Sequence, residues 1–204
     1  MDRTQFLAAI FMIATGGGIC AQQTAPPPSP AEPFGLPLGA SRAELEKLAG
    51  PLTEVGPGNF QLAKAPNPHP SLQDYQVSIS PTYGLCTIAA TSPSLQPNAF
   101  GDQVKSLFAD LAMQLEGRYG KASRTVDRLT PGSIWNEANE WTMGLVQGER
   151  TLGKAWDNPA PGLSGLGLMA HPVSRFDVRV AVYYESTNAA ACTAEAKERQ
   201  AGVF

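Results

Sequence analysis

Two tryptophans and two glutamates fall within seven residues, Trp135-Asn136-Glu137-Ala138-Asn139-Glu140-Trp141. Of all stretches in the sequence, this one has the residue types most suited to chemistry. Aromatic rings beside carboxylates suit a sugar-binding surface, and a pair of carboxylates is the minimal set for glycoside hydrolysis. Spacing argues against hydrolysis. Catalytic carboxylates flank a bond from opposite sides, about 5–9.5 Å apart. Glu137 and Glu140 are three residues apart, so on a helix they point the same way. Acidic side chains in a first helical turn also complement the helix dipole. The expectation is two core tryptophans, Trp135 and Trp141, with a solvated acidic edge. Glycan or peptide contact is the alternative.

The other reactive side chains are isolated. His69 lies between prolines and His171 precedes Pro172. No HxH, HExxH or HxxxH spacing joins either to a second ligand, so a metal site is not expected and both read as exposed loop histidines. Gly162-Leu163-Ser164-Gly165-Leu166-Gly167 has the composition of a nucleophile elbow without its G-x-S-x-G order. It does not open a helix, so it is no dinucleotide loop either. A glycine-rich turn into a strand explains it. No catalytic residue and no cofactor are expected. A hydrolase would have to draw on Glu137, Glu140 and His171.

The cysteines point to a compartment. Residues 1–21 read as a signal peptide, with a short polar start carrying Arg3, an apolar run from Phe6 to Ala14, and a small-residue region ending at Ala21. The run is shorter than the roughly 20 residues that a membrane helix needs. Lipidation of Cys20 would want a small residue before it, and Ile19 stands there, so cleavage after Ala21 without lipid is expected. Cys86 and Cys192 then remain. An even count in an oxidising compartment suggests one disulfide. A redox or nucleophilic thiol would want a CxxC or a paired histidine, and neither occurs.

Composition narrows the partners. The 204 residues carry a net charge of −3 and are 43% apolar and 16% charged. The charged share lies below the roughly 25% of ordinary soluble domains. No basic run exists to hold nucleic acid. No second apolar stretch is long enough to span a membrane.

The elements that must position these residues follow from local signals. Residues 22–33 (QQTAPPPSPAEP) form a proline-rich tether. Ser41-Arg42-Ala43-Glu44 is a capping box that starts a helix, with Leu45 and Leu48 as its apolar stripe and Gly50-Pro51 as its stop. Strands are expected over 52–55, 60–64, 75–79 and 85–90. Val104, Leu107, Phe108, Leu111 and Leu115 share one face of a strong helix that Gly120 ends. A weaker helix spans 137–147. Strands are expected at 151–156, 163–170 and 175–185, the last with Phe176, Val178, Val180, Val182 and Tyr184 facing one way. An alanine-rich helix over 189–200 carries Cys192. The order predicts one α+β domain over 34–204, with antiparallel sheet packed by helices on one face. Two degenerate helix-plus-strands halves, 34–91 and 98–186, are possible on that order, with no residue-level repeat to support them.

From Tyr83 onward the landmarks resemble a family of uncharacterised exported bacterial proteins of about this length. They are Gly84-Leu85-Cys86-Thr87-Ile88, Phe100-Gly101, Tyr119-Gly120-Lys121, Ser133-Ile134-Trp135, Trp141, Glu149-Arg150-Thr151-Leu152, Trp156, Val182-Tyr183-Tyr184-Glu185, Asn188 and Cys192. The resemblance implies no activity, cofactor or catalytic residue. It suits the disulfide, since both cysteines fall within it. Separately, Phe34-Gly35-Leu36-Pro37-Leu38-Gly39-Ala40-Ser41 with Glu44-Leu45 is similar to the start of small outer-membrane assembly lipoprotein domains. The expected function is a non-catalytic periplasmic or secreted protein that binds an envelope protein or polymer. The alternative is a small hydrolase or glycan-binding protein acting on envelope polymer.

Overall fold

The computed structural model describes residues 32–201. The expected signal peptide over 1–21, Cys20, and all but the end of the tether lie outside the described residues. The elements in chain order are α1 (Arg42–Ala49), β1 (Leu52–Gly56), β2 (Asn59–Leu62), β3 (Asp74–Ser80) and β4 (Gly84–Thr91). Then come α2 (Asp102–Tyr119), β5 (Arg124–Leu129), α3 (Trp141–Val146), β6 (Arg150–Asp157), β7 (Leu163–Pro172), β8 (Val178–Ser186) and α4 (Ala189–Ala201). The fold is α+β. One eight-stranded sheet has the order β1-β2-β3-β4-β8-β7-β6-β5, and every neighbouring pair is antiparallel.

The order is palindromic. A helix and a four-strand meander, α1 with β1–β4, are followed by a second helix and meander, α2 with β5–β8. The last strands of the two meanders pair at the centre of the sheet, with Ala90 opposite Val182.

Alternation along the strands sorts the two faces. Tyr75 and Val77 of β3, Ile88 and Ala90 of β4, and Val178, Val180, Val182 and Tyr184 of β8 are all buried. So are Leu166 and Leu168 of β7 and Leu152 and Trp156 of β6. They form one core with Val104, Phe108, Leu111 and Leu115 of α2. A half-buried ion pair from Lys154 to Glu116, at 2.5 Å, ties β6 to α2 on the same face. Residues 36–40 complete this side. Gly84 has φ +68°, and a Cβ there would come within 2.0 Å of the Gly39 carbonyl oxygen, so the close approach of the two backbones requires glycine.

The capping box at Ser41 and Glu44 forms as the sequence predicts. Leu45 is fully buried, but Leu48, in the last turn of α1, is 49% exposed. Phe176 does not belong to the core stripe. β8 starts at Val178, and Phe176 stands 71% exposed in the preceding turn. That turn is closed by Ser174, whose hydroxyl donates to the Asp177 carboxylate and accepts from the Phe176 and Asp177 N–H groups. β5 has no apolar alternation to announce it. It is an edge strand with solvent around most of its side chains, held by its ladder to β6. The helix expected over 137–147 is a short 3₁₀ turn (Ala138–Glu140) followed by α3.

The helices that build the core lie on one face. α4 is a clamp on the other. A bulge in β4 places Cys86 and Thr87 together opposite Ser78, and these residues line a cavity with Cys192, Thr193 and Ala196 of α4. Ser80 and Thr82 donate hydrogen bonds to the Glu195 carboxylate, fastening α4 to the β3–β4 turn. Cys86 and Cys192 stand at disulfide-bonding distance, with Cα atoms 6.5 Å apart.

Candidate functional site

The tryptophan–glutamate segment is a structural corner. Trp141 is 4% exposed and belongs to the core, as expected. Its ring lies against Gly101 and under the cations of Lys105 and Arg150, at 4.6 and 5.8 Å from the centroid. Trp135 is not a core residue; it is half-buried, because the loop that carries it runs along the surface. The Glu137 N–H donates to Glu140 Oε2 at 3.1 Å, and the two residues form a capping box around the 3₁₀ turn. Their carboxylates are spent on or near a helix start, where such groups are stabilising.

His171 lies elsewhere. It is inside β7, not beyond its end, and it faces the side of the sheet away from α2, next to Arg179 in register. The cavity it lines includes neither Glu137 nor Glu140. His69 is also not a free loop residue. Its Nδ1 accepts from the Ser71 N–H at 3.1 Å, and its Nε2 contacts Gln114 Oε1 at 2.9 Å. It clips the proline-rich loop to α2.

The structure instead gathers side chains on the sheet face that α2 leaves uncovered. Register builds this surface in rows. One row runs Gln61, Gln76, Ala89, Tyr183, Gly167, Ala155 across six strands. The next runs Asp74, Thr91, Ala181, Met169, Gly153, Val126. α4 covers only the corner near Ser78 and Thr87. The remainder is open.

Tyr183 divides the open area. On one side is a cavity of about 450 Å³ lined by Gln61, Asp74, Gln76, His171 and Arg179. On the other is a smaller one of about 240 Å³ against Val126, Gly153, Gly167 and Met169. Tyr183 lines both and is 37% exposed. Burial of the rest of the ring pushes its phenol pKa up, so the hydroxyl stays protonated and able to donate. Arg179 pairs with Asp74 and also donates to Thr91 Oγ1 at 3.3 Å. Its Nε is buried without a partner. Such a face can grip a ligand or partner through an aromatic centre, a polar half and an apolar half.

Alternation within the strands expected over 75–79 and 175–185 puts Gln76 and Arg179 on the face opposite the buried residues. No motif or spacing in the sequence marks Gln61, Asp74 or Tyr183 as a site. Alternation tells which face a residue takes. It does not tell which strands stand side by side, and these residues come together only through the β4–β8 pairing. Among the described residues, no group of three or more His, Cys, Asp or Glu side chains is placed to hold a metal ion. No family model, curated protein or solved structure matches this chain, so the face is read from its own geometry.

Proposed function

We propose that this chain is an exported, non-catalytic protein that binds another macromolecule of the bacterial envelope through the uncovered sheet face. Membership of the exported bacterial family it resembles belongs to the same proposal. One observation carries the reading. Tyr183, Met169 and Val126 are exposed together on a rigid sheet, beside a paired charge and a polar cavity. Exposed aromatic and apolar groups ringed by polar ones are the usual make-up of a binding surface. Against the hydrolase alternative stands the separation of His171 from Glu137 and Glu140.

The test is capture from envelope extract with the tagged mature chain, followed by mass spectrometry. Wild type should retain a partner that the Tyr183→Ala, Met169→Ala double variant loses. Glu137→Ala and Glu140→Ala should capture as wild type does. Loss of capture in those folded glutamate variants, with the sheet-face variant unaffected, would reverse the assignment. Export is tested on the same material. The mature mass should begin near Gln22, and a diacylglyceryl mass on Cys20 would refute the unlipidated form.

A further inference from the structure

We infer that the polar cavity beside Tyr183 is a saccharide subsite, so that the macromolecule bound by the sheet face is a glycan. The inference rests on the docking face proposed above and names its ligand chemistry. The cavity of about 450 Å³ lies within the roughly 300–1,000 Å³ of ordinary small-ligand sites. Its wall is mixed, with Ala89, Val173 and the Tyr183 ring supplying apolar surface beside the polar side chains. Gln61, Gln76, His171 and the Tyr183 hydroxyl each offer both donor and acceptor capacity. None of these four side chains has a hydrogen-bonding partner among the described residues.

Charge selects against ionic ligands. Asp74 and Arg179 neutralise each other across the cavity. What remains is a set of planar amides, an imidazole and a phenol. A sugar hydroxyl is likewise donor and acceptor at once, so it can satisfy such groups in pairs. The exposed ring of Tyr183 supplies a flat apolar surface for the C–H face of a pyranose. A peptide strand fits less well. Strand addition needs a sheet edge with free backbone groups. This cavity sits over β2, β3, β4, β8 and β7, interior strands whose backbones already pair on both sides. All its ligand-facing side chains stand on strands, which hold their spacing better than loops do.

The test is calorimetric and NMR titration of the full mature chain, disulfide intact, with chitotetraose and with maltotetraose. Saturable binding of at least one is expected, with amide shifts centred on β3, β4 and β8. Gln76→Ala and Tyr183→Ala should each weaken it by about tenfold or more. Glu137→Ala, remote from this face, should change it by less than about twofold. Gln61→Ala serves as a second probe should Tyr183→Ala lower the melting temperature. Absence of saturable binding by either sugar overturns the inference. So does binding that Gln76→Ala and Gln61→Ala leave unchanged. If no sugar binds, yet wild type captures a protein that Tyr183→Ala loses, the saccharide assignment falls and the docking face stands. If neither sugar binding nor capture responds to changes on this face, both fall.

Discussion

Trp141 packs against the backbone of Gly101, with the cations of Lys105 and Arg150 over its ring. The fit depends on a missing atom. A Cβ on Gly101 would fall 2.0 Å from Trp141 Cε3, and Gly101 has φ +72°, a conformation that a side chain disfavours. Both costs act on the same substitution. The Trp141 ring is buried and its neighbours are backbone and core, so it has little room to move. Gly101→Ala should therefore destabilise the protein by about 3 kcal/mol or more, read from urea unfolding. The same change at Gly117, a helix position where a Cβ meets nothing within 4 Å, should be neutral or slightly stabilising. Equal effects at the two positions would refute the packing argument.

α4 is attached to the sheet by two different means. The Cys86–Cys192 link closes a separation of 106 residues. A chain-entropy estimate for a loop of that length is about 4.7 kcal/mol, and measured values are often nearer 2–4 kcal/mol. Non-reducing peptide mapping should show the linked pair. Reduction should lower stability by about 2–4 kcal/mol and increase hydrogen exchange first in residues 189–201. The second attachment is electrostatic. Hydrogen bonds from Ser80 and Thr82 hold the Glu195 carboxyl below the ordinary glutamate value of 4.5. The folded state then binds this proton more weakly than the unfolded chain does. Its stabilising contribution is complete above about pH 4.5 and disappears as the pH falls through the depressed folded value. Glu116, held down mainly by its hydrogen bond from Lys154, acts in the same direction on α2. Melting temperature should thus fall on acidification from about pH 6 to about pH 3, and Glu195→Gln should flatten that fall. An unchanged pH profile in Glu195→Gln would show that the contact contributes nothing in solution.

At the scale of the molecule, the two helix-plus-meander halves share one core. Val77 and Ile88 from the first half lie in the same buried cluster as Leu111, Leu168 and Val182 from the second. The halves meet through the β4–β8 ladder, from Thr87–Glu185 to Thr91–Ala181. Neither can bury its apolar face fully without the other, so unfolding should be a single transition. All three tryptophans, at 135, 141 and 156, belong to the second half. Their fluorescence and the far-ultraviolet circular dichroism should trace coincident urea curves. Leu111→Ala should cost about 2–5 kcal/mol and shift both curves together. Separate midpoints would mean that the halves fold as independent units.

The local sequence determines much of this protein. Ser41 and Glu44 cap α1, five apolar residues set the buried face of α2, and alternation assigns the inward residues of β3 and β8, because each signal lies within one turn or one strand. The pairing of Cys86 with Cys192 was also legible, since only two cysteines follow the expected signal peptide. β5 was not legible. Its side chains are mostly solvated, and only the ladder to β6 makes it a strand. Phe176 looked like the next member of the β8 stripe, yet the Ser174–Asp177 turn takes it out of the sheet. The candidate site was the least visible. Gln61, Asp74, Tyr183 and His171 come from four strands spread over more than 120 positions, and no spacing links them. Only tertiary structure decides that β4 pairs with β8, because strand adjacency depends on burying the faces of both halves at once, and that adjacency is what brings these residues to one surface.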